Sequence, residues 1–178
     1  MATIDILIPT YNGAKYITPT IKSILSQSYK DFRIIISDDA STDNTVKTIK
    51  KIKDSRILIK NHSQNLGYSL NLERGRQYIS APFLYLMGQD DIMAQDTLKN
   101  TITAFKNPKI GAVTRPYFWF DKNIKIPVRA KKPLNLKKDT IVKITDNSKK
   151  VIRVFETLDQ LSGLAYRVKF LETPFHPD

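Results

Sequence analysis

Two adjacent aspartate pairs carry the chemistry this chain offers. Asp38-Asp39 follows the apolar run Phe32–Ile36, and Asp90-Asp91 comes just after Phe83–Met87. Both runs read as strands. Four carboxylates brought to one sheet edge repel each other unless a cation or a set of donors lies between them. A divalent cation is one solution. The chain has no Cys and only His62 and His176, so the ligands are oxygens, and oxygens favour a hard ion such as Mg²⁺ or Mn²⁺. Such an ion keeps several waters and takes substrate phosphate oxygens. The other solution is a nucleobase or ribose that offers N–H or O–H groups to a carboxylate. Asp and Ser also cap helices, so Asp39 or Ser41 taken alone reads equally well as a cap. A second pair after a second strand, and Pro9-Thr10-Tyr11-Asn12 after a first, weigh toward a ligand site.

These residues need a scaffold, and the first hundred residues describe one. Ile4–Ile8 reads as a strand stopped by Pro9. Ile17, Ile21, Ile24 and Leu25 recur at helical spacing and predict a helix over 14–28. Phe32–Ile36 is a second strand. The Ser41-Thr42-Asp43-Asn44 cluster precedes a short helix through Val46, Ile49 and Ile52. Arg56–Ile59 is a third strand, Asn65-Leu66-Gly67 a turn, and Leu70–Ile79 a helix despite Gly75. Phe83–Met87 is a fourth strand. Leu98, Ile102 and Phe105 mark a helix ended near Asn107-Pro108, and Ala112–Phe118 is a fifth strand. Alternation of this kind predicts an α/β fold with a mostly parallel sheet flanked by helices. Ligands of such sheets bind at the carboxyl ends of the strands, where the acidic pairs fall.

The pattern changes after about residue 120. Ile124–Val128, Thr140–Ile144 and Val151–Phe155 read as short charged strands, interrupted by Pro127 and Pro133. Gly163–Tyr166 reads as a small apolar turn or helix start. Residues 1–120 are therefore expected to form an α/β part with a ligand rim at its strand ends. Residues 121–178 would be a smaller, basic, β-rich part of the same structural domain. Tyr117, Phe118, Trp119 and Phe120 read as core at a sheet end, with a sugar-stacking platform as the alternative. The pattern breaks off at Pro174-Phe175-His176-Pro177-Asp178, which leads to the expectation that the natural protein continues.

Composition narrows the partners. The chain has 178 residues, 41% of them hydrophobic and 10% aromatic, which excludes a disordered or fibrous protein. No apolar run approaches the roughly 20 residues that span a bilayer. The first residues lack the basic head and apolar stretch of a signal peptide, so a cytoplasmic location is expected. Absence of Cys excludes disulfides, thiolate metal sites and Cys nucleophiles. The net charge of +12 is uneven. Residues 1–100 carry 13 basic and 10 acidic side chains, whereas Lys122–Arg153 alone carry 11 and 2. A basic block of this kind suits an anionic partner. Its basic residues avoid the strand-end motifs, and no nucleic-acid-binding signature occurs, so a nucleic-acid partner is not expected.

The ordered segments resemble glycosyltransferase family 2, which has the GT-A fold. The resemblance rests on Ile8-Pro9-Thr10-Tyr11-Asn12, on Ile24–Phe32 with Ser26-Gln27-Ser28, and on Ser37-Asp38-Asp39-Ala40-Ser41-Thr42-Asp43. Asn65-Leu66-Gly67 and Asp90-Asp91-Ile92 follow in order. It covers about residues 3–118. It implies a Rossmann-like GT-A sheet and a nucleotide-sugar donor, with a UDP-sugar expected. Pro9, Thr10, Tyr11 and Asn12 would then belong to the nucleotide pocket, with Tyr11 stacking on the base. Asp39, partnered by Asp38, would accept from base or ribose. Asp90 resembles the metal-binding acid and Asp91 the acid after it, so Mg²⁺ or Mn²⁺ is implied.

Two departures from the family pattern matter. Gly88-Gln89-Asp90-Asp91 lacks the first acid of the usual Asp-x-Asp-Asp, which would shift ribose contacts to Gln89. Leu72-Glu73 replaces the usual Arg-Asn pair, leaving Arg74 and Arg76 nearby. No Gly-x-Gly-x-x-Gly or Walker A pattern exists, so metal rather than a glycine-rich loop would hold a diphosphate. The resemblance also implies an inverting transfer to a saccharide or lipid-linked saccharide in bacterial surface-glycan synthesis. The acceptor-binding Gly segment would be Ser162-Gly163-Leu164-Ala165. The catalytic base is expected beyond Asp178, with Glu172 and Asp178 as weaker candidates. The basic block would then dock peripherally on anionic lipid at the inner face of the cell membrane. The alternative is a catalytically inactive nucleotide-sugar-binding or membrane-docked scaffold.

Overall fold

The computed structural model describes residues 2–115, 118–121, 127–130, 141–143, 146–147, 149 and 162–171. Eight strands and four α-helices are described. They are β1 (Ile4–Thr10), α1 (Ile17–Leu25), β2 (Phe32–Asp38), α2 (Thr45–Lys50), β3 (Ile57–Asn61), α3 (Tyr68–Arg76), β4 (Phe83–Leu86) and α4 (Thr97–Phe105). Then come β5 (Ala112–Val113), β6 (Phe118–Phe120), β7 (Pro127–Ala130) and β8 (Leu164–Arg167), followed by a 3₁₀ turn. Six strands form one sheet in the order β3-β2-β1-β4-β8-β5. The first four are mutually parallel, and β8 runs antiparallel to both β4 and β5. This is the expected α/β, mostly parallel, Rossmann-like arrangement.

The sheet is covered on both sides, which explains its near-continuous apolar strands. All seven residues of β1 are buried. Ile4, Ile6, Ile8, Ile34 and Ile36 face α1, α2 and α4 through Ile17, Ile21, Ile24, Ile49, Leu98 and Phe105. Leu7, Ile35, Leu84 and Leu86 face the other way, toward Leu72 of α3. Gly75 explains why α3 forms despite a weak helix former. A Cβ there would lie 2.5 Å from Leu7 Cδ1, so the missing side chain lets the helix rest on the sheet.

The amino end of the sheet holds a buried charge. Asp5 is fully buried, and Arg33 meets it with two hydrogen bonds, Nε to Oδ1 at 2.9 Å and a terminal nitrogen to Oδ2 at 2.8 Å. The N–H groups of Ser80 and Ala81 also donate to Oδ2, at 2.8 and 3.0 Å.

Several expectations shift. β1 runs through Pro9 to Thr10 rather than stopping. The Leu7 carbonyl accepts from Met87 N–H at 3.0 Å, so odd residues of β1 turn their polar groups toward β4. The β4 ladder ends at Leu7–Leu86, so Pro9 faces a side where no ladder bond is due. The fifth strand is only Ala112–Val113, and Phe118–Phe120 pairs instead with β7 in a separate two-stranded sheet.

Of Gly163–Tyr166 only Gly163 lies in a turn, because Leu164–Arg167 fills the place between β4 and β5 as a strand. Four residues are too few to show a period, and only two waiting neighbours make them a strand. Residues of the basic C-terminal part thus complete the main sheet. Residues 141–143 carry no regular structure, contrary to the expected strand over 140–144. Val151–Phe155, Glu172, Asp178 and most of Lys122–Arg153 lie outside the described residues. So do the Phe118 and Trp119 side chains. No helix among the described residues is long and apolar enough to cross a membrane.

Candidate functional site

The carboxyl ends of β1, β2 and β4 converge with the start of α3 around a cavity of about 540 Å³, within the range of small-molecule sites. Pro9, Thr10 and Tyr11 line it from β1, and Asp39 from the β2 end. Gly88, Gln89, Asp90 and Asp91 line it from the loop after β4. The sheet therefore brings both acidic segments to one hollow, as the strand-end argument required.

Each wall is built locally. The Asp39 N–H donates to the Thr10 carbonyl at 2.8 Å, continuing the β1–β2 ladder past the strands. Asp38 then turns inward. Its carboxylate accepts from the Ser41 N–H at 2.9 Å and the Ser41 hydroxyl at 2.6 Å, an Asx-type turn. Asn12 adopts φ 48°, and its side-chain oxygen accepts from Thr42 N–H at 2.9 Å. Asp38 and Asn12 thus shape the loops and do not line the cavity. Both are short polar residues that bond their own backbone neighbourhood, which sequence spacing does not distinguish from ligand contact.

Asp39 is almost fully buried. Its carboxylate accepts from the N–H groups of Leu66 at 3.1 Å and Gly67 at 2.8 Å, which fixes the Asn65-Leu66-Gly67 turn. That turn delivers α3, whose Tyr68 and Asn71 line the cavity one helical turn apart. Asn71 is buried and held by Ser37, whose hydroxyl donates to Asn71 Oδ1 at 2.7 Å. His62 Nε2 lies 2.9 Å from the same hydroxyl. Burial pushes the His62 imidazole below its usual pKa and Arg74 adds to this, while Asp39 and Asp38 oppose it.

Gln89 pairs with the Tyr11 backbone in both directions. Its Oε1 accepts from Tyr11 N–H and its Nε2 donates to the Tyr11 carbonyl, each at 3.1 Å. This clamp leaves one amide hydrogen and one lone pair for any ligand. Tyr11 itself is 43% exposed at the cavity wall.

Asp90 is exposed and accepts no hydrogen bond from any described residue. Asp91 is partly buried, and Ser162 Oγ donates to its Oδ2. Burial raises the Asp91 carboxyl above the usual range, the Ser162 hydrogen bond lowers it, and the charge of Asp90 raises it again. No Lys, Arg or His is among the described residues lining the cavity. Arg76 pairs with Glu73 at 3.3 Å, and Arg74 lies toward His62, so neither neighbouring arginine lines it. No group of three or more metal-ligating side chains occurs among the described residues. Asp90 and Asp91 are an oxygen-only pair, one of whose carboxylates no described residue bonds, which suits Mg²⁺ or Mn²⁺ once phosphate oxygens and waters complete the shell.

The sequence did not point to Tyr68 or Asn71, and it offered Ser162 only as part of an acceptor-binding segment and Gly88 only as the first position of the Gly88-Gln89-Asp90-Asp91 motif. For Tyr68 and Asn71 the available signal was the Asn65-Leu66-Gly67 turn, which places the next helical residues at the same rim.

The family model for glycosyl transferase family 2 matches residues 5–160. The Escherichia coli UDP-Glc:alpha-D-GlcNAc-diphosphoundecaprenol beta-1,3-glucosyltransferase WfaP is 35% identical over 116 residues, covering 62% of this chain and 44% of that protein. The chain therefore spans less than half the length of that relative. Among solved structures, Staphylococcus aureus TarS 1-349 in complex with UDP-GlcNAc superposes with a TM-score of 0.77 at 21% identity, over 97% of this chain and 47% of that one. The Pyrobaculum calidifontis mannosyltransferase PcManGT, in complex with GDP-Man and Mn²⁺, gives 0.59 at 24% identity, over 64% and 36%.

Proposed function

The chain belongs to glycosyl transferase family 2, and from that premise we propose that it forms the donor-binding part of an inverting, metal-dependent glycosyltransferase. One observation carries this reading. A cavity at the strand ends is lined by Asp39, Asp90 and Asp91, with Tyr11 at its wall and no cationic side chain among the described lining residues. An anionic nucleotide diphosphate in such a hollow needs positive charge from elsewhere. Asp90 and Asp91 would hold Mg²⁺ or Mn²⁺. That ion, when bound, would neutralise the charge developing on the diphosphate leaving group.

The protein's own residues do the remaining work. Tyr11 and Pro9 bound the base. Asp39 keeps lone pairs beyond those taken by Leu66 and Gly67, and these accept N–H or O–H groups of base or ribose. Thr10 and Gln89 hold the rim in register. The donor is a UDP-sugar, a reading supported by the substrate in the name of the E. coli relative and by the UDP-GlcNAc bound to TarS. An acceptor hydroxyl on a saccharide or lipid-linked saccharide attacks the anomeric carbon from the opposite face. A carboxylate base takes its proton. The setting is bacterial surface-glycan synthesis at the cytoplasmic face, with the basic Lys122–Arg153 segment against anionic lipid.

Calorimetry with UDP, with and without Mn²⁺, tests the donor site. Binding that tightens with Mn²⁺ supports it, and equal binding in both conditions removes the metal. A second reading, an inactive nucleotide-sugar binder, draws on Gly88 standing where the family pattern carries an acid. UDP binding with no sugar transfer by the intact protein would favour it.

A further inference from the structure

We infer that Ser162 is a positioning residue of the donor site, tying the strand that completes the sheet to the carboxylate of Asp91. This rests on the donor-site reading above. Ser162 and Asp91 are separated by 71 positions. They meet because β8 slots antiparallel beside β4, with Leu164 opposite Leu86. Ser162 stands two residues before β8, level with the loop that follows β4. Its hydroxyl accepts from the Gly88 N–H at 2.7 Å and donates to Asp91 Oδ2. One hydroxyl thereby satisfies a backbone donor and a carboxylate at once.

Gly88 makes room for this bridge. A Cβ on Gly88 would lie 2.5 Å from Asp91 Oδ2 and 3.3 Å from Asp90 Oδ1. With hydrogen at that position, the Asp91 carboxylate folds back over the backbone of residue 88 and reaches Ser162. Its Oδ1 receives no hydrogen bond from any described residue, so the bridge anchors one oxygen of a side chain that lines the cavity. In this chain a serine just ahead of the sheet-completing strand thus orients the second acid of the donor loop. An acid at position 88 would collide with that arrangement.

The test uses the full chain with Ser162→Ala, Ser162→Thr and Gly88→Ala. Amide exchange at Gly88 in the unliganded protein reads the bridge directly. Mn²⁺ affinity at saturating UDP, followed by electron paramagnetic resonance, reads its consequence. Ser162→Ala should speed Gly88 exchange and weaken Mn²⁺ roughly 10–100-fold, the usual effect of losing a partner of a metal ligand. UDP binding without metal should stay unchanged, and Ser162→Thr should restore both readouts. Gly88→Ala attacks the bridge from the other side and should reproduce the Mn²⁺ loss. Unchanged Mn²⁺ affinity in Ser162→Ala overturns the inference. A parallel fall in metal-free UDP binding also overturns it, because that marks a merely structural serine. If the unmodified protein binds no UDP, the donor-site reading fails first and this inference falls with it.

Discussion

Asp5 and Asp90 lie at opposite ends of the β1–β4 pair, and the sheet treats them differently. Asp5 is fully buried, and Arg33 with two backbone N–H groups satisfies its carboxylate. Asp90 is exposed, accepts no hydrogen bond from any described residue and stands beside a second carboxylate. The amino edge neutralises its charge internally, and the carboxyl edge leaves its charge for something that arrives. Asp39 falls between these cases. It is buried and bonded to Leu66 and Gly67, yet it lines the cavity. Aspartate as a residue type therefore says little about role. The supply of donors around each carboxylate decides it.

Mutations at the two edges should separate stability from ligand binding. Asp5→Ala leaves Arg33 and two N–H groups without their acceptor and should cost about 3–5 kcal/mol. Thermal denaturation would show Tm lower by roughly 10 °C. UDP affinity measured well below that transition should be unaltered. A small Tm change would mean that the amino edge is not where the charge is neutralised.

Asp90→Ala should do the reverse. Mn²⁺-dependent UDP binding should weaken by about 100-fold, while Tm changes by less than about 0.5 kcal/mol equivalent. A large stability loss would erase the distinction between the edges. Tyr11→Ala should weaken UDP about 10-fold, in keeping with the worth of one stacked base. That loss should be the same with and without Mn²⁺ in calorimetry, because the ring acts on the base and not on the phosphates.

The smallest effect belongs to Asp54, whose carboxyl is pulled down to about 2 chiefly by its hydrogen bond from Arg56. A depressed carboxylate pKa stabilises the fold above the unfolded value near 4, and that gain disappears as pH falls from there toward 2. The pair is partly exposed, so Asp54→Asn should cost less than about 1 kcal/mol at pH 7. Denaturant titrations of the two proteins should converge near pH 2. A gap that widens in acid would contradict the pairing.

Much of the fold was legible because its signals are local. Ile17, Ile21 and Ile24 repeat at helical spacing, and β1 and β2 are isoleucine-rich runs ended by polar turns. The segment Ser26-Gln27-Ser28 was legible as part of a family pattern, but its work is structural. Gln27 is buried, and its amide bonds the Ala94 carbonyl at 2.7 Å and the Leu98 N–H at 3.1 Å, fastening α1 to the start of α4. The site was legible only as acidic turns after strands. Spacing could not separate Asp38, which closes its own turn, from Asp39, which reaches α3.

Chain order and composition alone determined an α/β sheet, a ligand rim at the carboxyl ends of its strands, and oxygen-only chemistry there. Those follow from apolar periodicity and residue inventory, which each segment carries by itself. Tertiary structure decided that Leu164–Arg167 is a strand, that Gln89 clamps Tyr11, and that Ser162 meets Asp91. Contacts across tens of residues depend on which strand lies beside which, and no local window of sequence encodes that neighbour.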